Sequence, residues 1–321
     1  MTPPASIPAS TPDSPRRRGL GILLQLVVTA GVTILVFRAL GGTLEDALAL
    51  DRALASPRPW PLLAATVVLF GGYALAARLW GWMVESLGDR DPGARLSLQI
   101  LLAANLGRYV PGKIWQLAGL AVLVRRRGMS ATVATAASLL VQGFALAATL
   151  AWGLPALLSD EAMAGSGAVF WTLGIVAALI VLASIPAVSG AGTRLLFRLG
   201  RRDPDEAPRP GPGFGPRWLG LSLVNWGVYG VAFILFLQGL GFHVPPLEAV
   251  SAFAAAYLVG NLFVAAPAGV GIREVALAGL LLPELGDAAM AVAILARLWM
   301  TAVEVIPAAI FAWIELRGTT P

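Results

Sequence analysis

Six stretches of about 20 residues, almost free of charge, recur along this chain: 20–37, 60–84, 129–154, 168–188, 218–240 and 288–314. As helix, each is long enough to cross about 30 Å of hydrocarbon at about 1.5 Å per residue. Backbone N–H and C=O groups in lipid must be paired within the protein, and a helix does this within one segment. The sequence therefore predicts an all-α polytopic membrane protein. Its composition agrees: 57% of residues are hydrophobic and 13% charged, against about a quarter charged in soluble domains. Residues 1–19 are rich in Pro and Ser, end in Arg16-Arg17-Arg18, and read as a disordered tail. A signal peptide is the rival reading of the first apolar stretch. Its apolar core would be only about 7–15 residues with an A-x-A-like site after it, so 20–37 is read as a retained span.

Two further apolar segments, 95–124 and 247–282, are interrupted at Pro111-Gly112 and at Pro267-Ala268-Gly269-Val270-Gly271. The halves are too short to cross and read as re-entrant helical hairpins. Placing the N-terminus in the cytoplasm puts most loop arginines inside, among them Arg16, Arg17, Arg18, Arg90, Arg125, Arg126, Arg127, Arg194, Arg198, Arg201, Arg202, Arg209 and Arg317. Arg52 and Arg58 then lie in the outer loop, with Arg38 at the outer end of the first stretch. This asymmetry fixes the expected orientation, with both termini and the basic loop 190–217 cytoplasmic in the cytoplasmic membrane. It also accounts for the net charge of +5 without nucleic acid.

The two broken segments resemble each other. Asn105-Leu106 stands six residues before Pro111, as Asn261-Leu262 stands before Pro267, and Ala118-Gly119-Leu120 recurs as Ala278-Gly279-Leu280. The flanking spans keep the same spacing. A single transmembrane domain, 20–316, is thus expected to be an internal duplication, with a first repeat over 20–154 and a second over 168–314. Each repeat has three spans and a hairpin, and an odd number of crossings makes the second copy inverted. Inverted repeats with broken helices at matching positions are a transporter signature.

Gly107 to Lys113 imitates a phosphate-binding loop, but Ile114 stands where Ser or Thr would hold Mg²⁺. The same residues fit a helix break carrying Arg108 and Lys113. Lys113, the sole lysine, either snorkels to the cytoplasmic interface or meets a phosphate. In the second hairpin Gly269 and Gly271 allow close backbone approach. The helix beginning near Arg273 offers free N–H groups to an anion. The competing reading makes Arg273 and Glu274 a structural ion pair with other helices. Arg297 and Glu304 lie seven apart on one helical face, expected to point into the bundle, and are a candidate coupling pair. Arg78 is expected to snorkel inward, and His243 to be solvated. With no cysteine and one histidine, thiolate and multi-histidine metal sites are excluded. No nucleophile–base constellation marks a catalytic site, and no cofactor is expected.

The segments 105–115 (Asn-Leu-Gly-Arg-Tyr-Val-Pro-Gly-Lys-Ile-Trp) and 267–274 (Pro-Ala-Gly-Val-Gly-Ile-Arg-Glu) resemble the two signature segments of the lysylphosphatidylglycerol synthase transmembrane-region family, over about 18–316. The resemblance implies a flippase-like membrane domain without the fused synthase, hence no enzyme activity of its own. Its partner would be a membrane lipid with an anionic or phosphate-bearing head group. A separate lipid-modifying enzyme or glycosyltransferase could work beside it, and the alternative role is an accessory subunit or enzyme of lipid-linked glycan or hopanoid-type pathways. Carried over by motif, the resemblance implies head-group or transport roles for Asn105, Arg108, Pro111, Gly112, Lys113, Asn261, Pro267, Gly269, Gly271, Arg273 and Glu274.

Overall fold

The computed structural model describes residues 57–109, 114–159, 186–199, 213–262 and 271–318, with isolated positions between them, among them Gly269. The span expected over 20–37, that over 168–188 apart from 174, 178 and 186–188, and Pro111, Gly112, Lys113 and Pro267, lie outside the described residues. Everything described is helix or short connection. Four helices are long and apolar enough to cross a membrane: α1 (Pro59–Ser86), α4 (Ala131–Ser159), α6 (Phe214–Gly239) and α9 (Ala288–Gly318). They coincide with the spans expected over 60–84, 129–154, 218–240 and 288–314.

Between them lie two pairs of short helices. In the first half α2 (Gly93–Asn105) runs into a 3-10 turn (Leu106–Tyr109), and α3 (Ile114–Arg126) returns. In the second, α7 (Pro246–Leu262) is followed by α8 (Ile272–Leu285). The 13-residue arms of the first pair reach only about 20 Å. In each pair the arms pack on one another, and the ends meet. Asp89 Oδ2 accepts the N–H of Ser130 at 2.7 Å, and Arg90 donates to the Arg127 carbonyl. The Glu248 carboxyl at the start of α7 lies beside that of Glu284 at the end of α8. Both broken segments therefore enter and leave on one side.

Helix α5 (Pro186–Leu199) makes the first part of the basic segment 190–217 helical. Phe197 and Thr193 are buried while Arg194 and Arg198 are exposed, an amphipathic pattern that packs on α4 and α6.

The internal duplication is visible in the packing. Helices α1 and α6 are equivalent by sequence and run antiparallel: the Arg58 N–H, just before α1, donates to the Gly239 carbonyl at the end of α6 at 2.8 Å. Midway, the rings of Tyr73 and Tyr229 meet edge-on, 5.7 Å between centroids. Their separation, 229 − 73 = 156, is that of Pro111 and Pro267, 267 − 111 = 156. Equivalent residues that touch on antiparallel helices lie on a two-fold axis perpendicular to them. The second copy is thus inverted. Helix α2 packs on α9 as α7 packs on α4, and the first hairpin opens beside the end of α1, the second beside its start.

Each hairpin has its own core. Leu79, Trp80, Met83 and Val84 of α1 surround α2 and α3 with Ile100, Leu120, Val124 and Trp218. Ala65 and Leu69 of the same helix join Phe233, Phe236, Phe253, Leu277 and Leu281 around α7 and α8. Small residues permit the close crossings: a Cβ on Gly153 of α4 would stand 2.8 Å from the backbone N of Ala255 in α7.

Arg78 reaches toward the interface as expected and finds a partner there. Its Nη1 and Nη2 donate to the two carboxylate oxygens of Asp91 at 2.5 and 2.6 Å, and its guanidinium lies 4.7 Å over the Trp82 ring. The Arg78 hydrogen bonds hold the Asp91 carboxyl below its ordinary pKa. His243 is exposed, as expected.

Candidate functional site

The second break gathers the buried charges. Gly269 and Gly271 have φ +68° and +86°, a left-handed backbone that glycine adopts without a Cβ penalty. Gly271 is the N-cap of α8, so Arg273 and Glu274 fall in its first turn. Neighbours on a helix are about 100° apart and do not face each other. These two accordingly reach different partners.

Glu274 turns back to its own helix start and across to α9. Its Oε2 accepts the Gly271 N–H at 2.6 Å, and its Oε1 stands 3.7 Å from Arg297 Nη1. Arg273 instead lies between α7 and α9. Its Cζ is 4.8 Å from the Tyr257 ring centroid and 5.3 Å from that of Phe253, within cation–π range. Its Nη2 donates to Met300 Sδ at 2.9 Å. Among the described residues the Arg273 guanidinium has no hydrogen bond to an oxygen acceptor. Relative exposures are 9% for Arg273, 5% for Glu274, 8% for Arg297 and 0% for Glu304.

Two cations and two carboxylates thus sit inside the helical bundle, where unpaired charge is costly. Arg297 and Glu304 point inward as their seven-residue spacing predicted. At the start of α8, where an anion was expected, the protein's own Glu274 holds the Gly271 N–H.

Two glycines set how closely the arms approach. A Cβ on Gly260 would stand 2.9 Å from Arg273 Cβ, and one on Gly269 2.8 Å from the Gly260 carbonyl oxygen. Gly260, Phe253, Tyr257 and Met300 were not singled out by the sequence. Phe253 and Tyr257, four apart on one face of α7, were the readable signal for an aromatic wall.

The first hairpin has the same shape and different chemistry. Gly107 brings its arms together, its Cβ position lying 2.8 Å from the Gln116 backbone N. Gln116 Nε2 donates to Asn105 Oδ1 at 2.7 Å, so Asn105 braces the two arms. Asn261 Nδ2 donates to the Tyr257 carbonyl at 3.2 Å. The Arg108 side chain, with Pro111, Gly112 and Lys113, lies outside the described residues, as does Pro267. The structure therefore assembles Gly269, Gly271, Arg273, Glu274 and Arg297 in one place, with Glu304 two turns further along α9.

A family model described as the lysylphosphatidylglycerol synthase TM region matches residues 22–308. The chain belongs to that family. Neither the curated proteins nor the solved structures contain a match. Membership makes this a membrane protein of a lipid-related family, and the match covers both hairpins, the first three described spans and the fourth as far as residue 308. The residues of the buried cluster all fall within it.

Proposed function

We propose that the protein moves a phospholipid or a phosphate-bearing glycolipid between the leaflets of the cytoplasmic membrane. The observation that carries this reading is Arg273. A nearly buried guanidinium, walled by Tyr257 and Phe253 and hydrogen-bonded only to a thioether among the described residues, retains donors for an oxyanion. Guanidinium binds phosphate through two parallel N–H···O bonds. The group lies in the first turn of α8, just past Gly271 with its left-handed backbone, inside the bundle, where a polar head group can pass while its acyl chains stay in lipid. In this scheme both termini are cytoplasmic. Arg108 and Lys113 of the first hairpin receive the phosphate on the cytoplasmic side, and Arg273 holds it nearer the outer side.

Purified protein reconstituted into liposomes tests the proposal through the rate at which labelled lipids change leaflet. Phosphate-bearing lipids should flip faster than in protein-free liposomes, and a diacylglycerol lacking phosphate should gain nothing. Equal rates with and without protein for every head group would sink it. Flipping seen only when a lipid-modifying enzyme or glycosyltransferase is added would assign the chain an accessory role instead.

A further inference from the structure

The start of α8 already holds an anion, and it is part of the chain. Glu274 takes the Gly271 N–H with Oε2 at 2.6 Å and faces Arg297 with Oε1 at 3.7 Å. That second contact is longer than a charge-assisted hydrogen bond. Among the described residues, the buried Oε1 has no hydrogen-bond partner. One carboxylate therefore occupies a helix N-terminus and faces an arginine, two features that bind phosphate oxygens. Its hold on the arginine is long, and it stands beside Arg273, whose donors have no oxygen acceptor among the described residues.

Charge accounting gives the consequence. Among the described residues, Glu274 has Arg297 of α9 at 3.7 Å and Arg273 beside it on its own helix, with Glu304 buried further along α9; Tyr257 of α7 and Tyr73 of α1 act on Arg273. Among the described residues the cluster thus holds two arginines and two glutamates. A phosphodiester brings one more negative charge into a site shielded from water, where uncompensated charge is expensive. A single proton restores the balance. The carboxylate that has just lost its donors to the ligand is the one that gains most from it.

We propose that a phosphate oxyanion displaces Glu274 from the Gly271 N–H and from Arg297, and that the displaced carboxylate takes up one proton from solvent. Phosphate binding and proton binding then form one event, and Glu274 is the group that links them. The lipid source of the phosphate rests on the transport reading above, whereas the displacement does not.

Binding is measured on the full chain in detergent from pH 5.5 to 8, with three probes. Short-chain phosphatidylglycerol and dimethyl phosphate are both diesters that do not titrate in this range, and short-chain diacylglycerol lacks phosphate. Phosphatidylglycerol affinity in wild type should rise as pH falls, by up to about tenfold per unit, the limit for one linked proton. The same slope with dimethyl phosphate would make the phosphate sufficient. That slope with the lipid alone would make the acyl chains part of the site. Both results support the exchange. Glu274→Gln should bind with no pH dependence, at least as tightly as wild type at its acidic limit. A flat wild-type profile or a slope retained by Glu274→Gln would overturn the inference. Wild type that binds phosphatidylglycerol no better than diacylglycerol would sink the head-group reading itself, a separate result. Should Glu274→Gln fail to elute as folded protein, proton uptake by weakly buffered wild type decides. About one proton per lipid bound is expected, and none would overturn the exchange.

Discussion

At Arg273 the shape of the cation matters as well as its charge. The guanidinium lies flat between two rings and offers a fork of donors, whereas an ammonium is a compact point charge with neither property. Arg273→Lys should therefore keep the protein folded and lose about 1.5–3 kcal/mol of head-group stabilisation, roughly 10- to 150-fold in flip rate. Flip assays normalised to folded protein check this, and a wild-type rate for the lysine variant would remove Arg273 from the path. Arg297 makes a different prediction. Arg297→Gln strips the facing cation from Glu274, and leaving a buried partner uncompensated costs about 3–5 kcal/mol. The double variant with Glu274→Gln should recover part of that loss, visible as coupling in a melting-temperature cycle. Strict additivity would mean that the 3.7 Å approach contributes nothing. An ion pair with another helix was one reading of the sequence, but the partner was not legible. Arg273 and Glu274 are adjacent and invited a shared role, but only the three-dimensional crossing of α8 and α9 shows that one meets Met300 and the other Arg297.

The breaks themselves were legible at the scale of the element. Proline and glycine inside apolar segments too short to cross when halved leave re-entry as the solution, and the hairpin ends do meet on one side. The spacing of the arms was not, because it depends on which atoms face each glycine. Gly269 needs φ +68° and has the Gly260 carbonyl where a Cβ would go. Gly269→Ala should thus destabilise by more than about 1 kcal/mol whether or not a ligand binds there. Gly260→Ala is the cleaner probe, since its position is helical and its Cβ meets Arg273 Cβ. It should cost about 1–3 kcal/mol through crowding and slow flipping by moving Arg273. A wild-type flip rate in folded Gly260→Ala would show that the site tolerates such a shift. The ends of the second hairpin respond to acid. Desolvation, followed by the hydrogen bond and charge of Glu284, holds the Glu248 carboxyl above its ordinary pKa. A raised folded value means the contribution is present below the unfolded value of about 4.3 and fades as pH rises through the folded one. Melting temperature should fall across that window in wild type, and the fall should shrink in Glu248→Gln.

For the molecule as a whole, the two-fold relation between halves carries the strongest consequence. Tyr73 and Tyr229 are equivalent residues in contact on antiparallel helices, so whatever lies at one end of α1 has its counterpart at the opposite face. Helix α1 ends at Ser86, just before the acids that close the first hairpin, and the loop after α6 carries His243 beside the second. The inversion places them on opposite sides of the membrane. The excess of arginine near the first loop supports the orientation proposed above, in which Ser86 is inside and His243 outside. Both residues are exposed, and the chain contains no cysteine, so single-cysteine variants give an unmixed signal. In intact cells an impermeant maleimide should label His243→Cys at once and Ser86→Cys only after permeabilisation. The reverse pattern would keep the inverted repeat but turn the protein over, exchanging the sides on which Lys113 and Arg273 are proposed to meet phosphate. Labelling of both from one side would contradict the two-fold relation itself, because no rigid placement of this fold in a bilayer puts both ends of α1 in the same compartment.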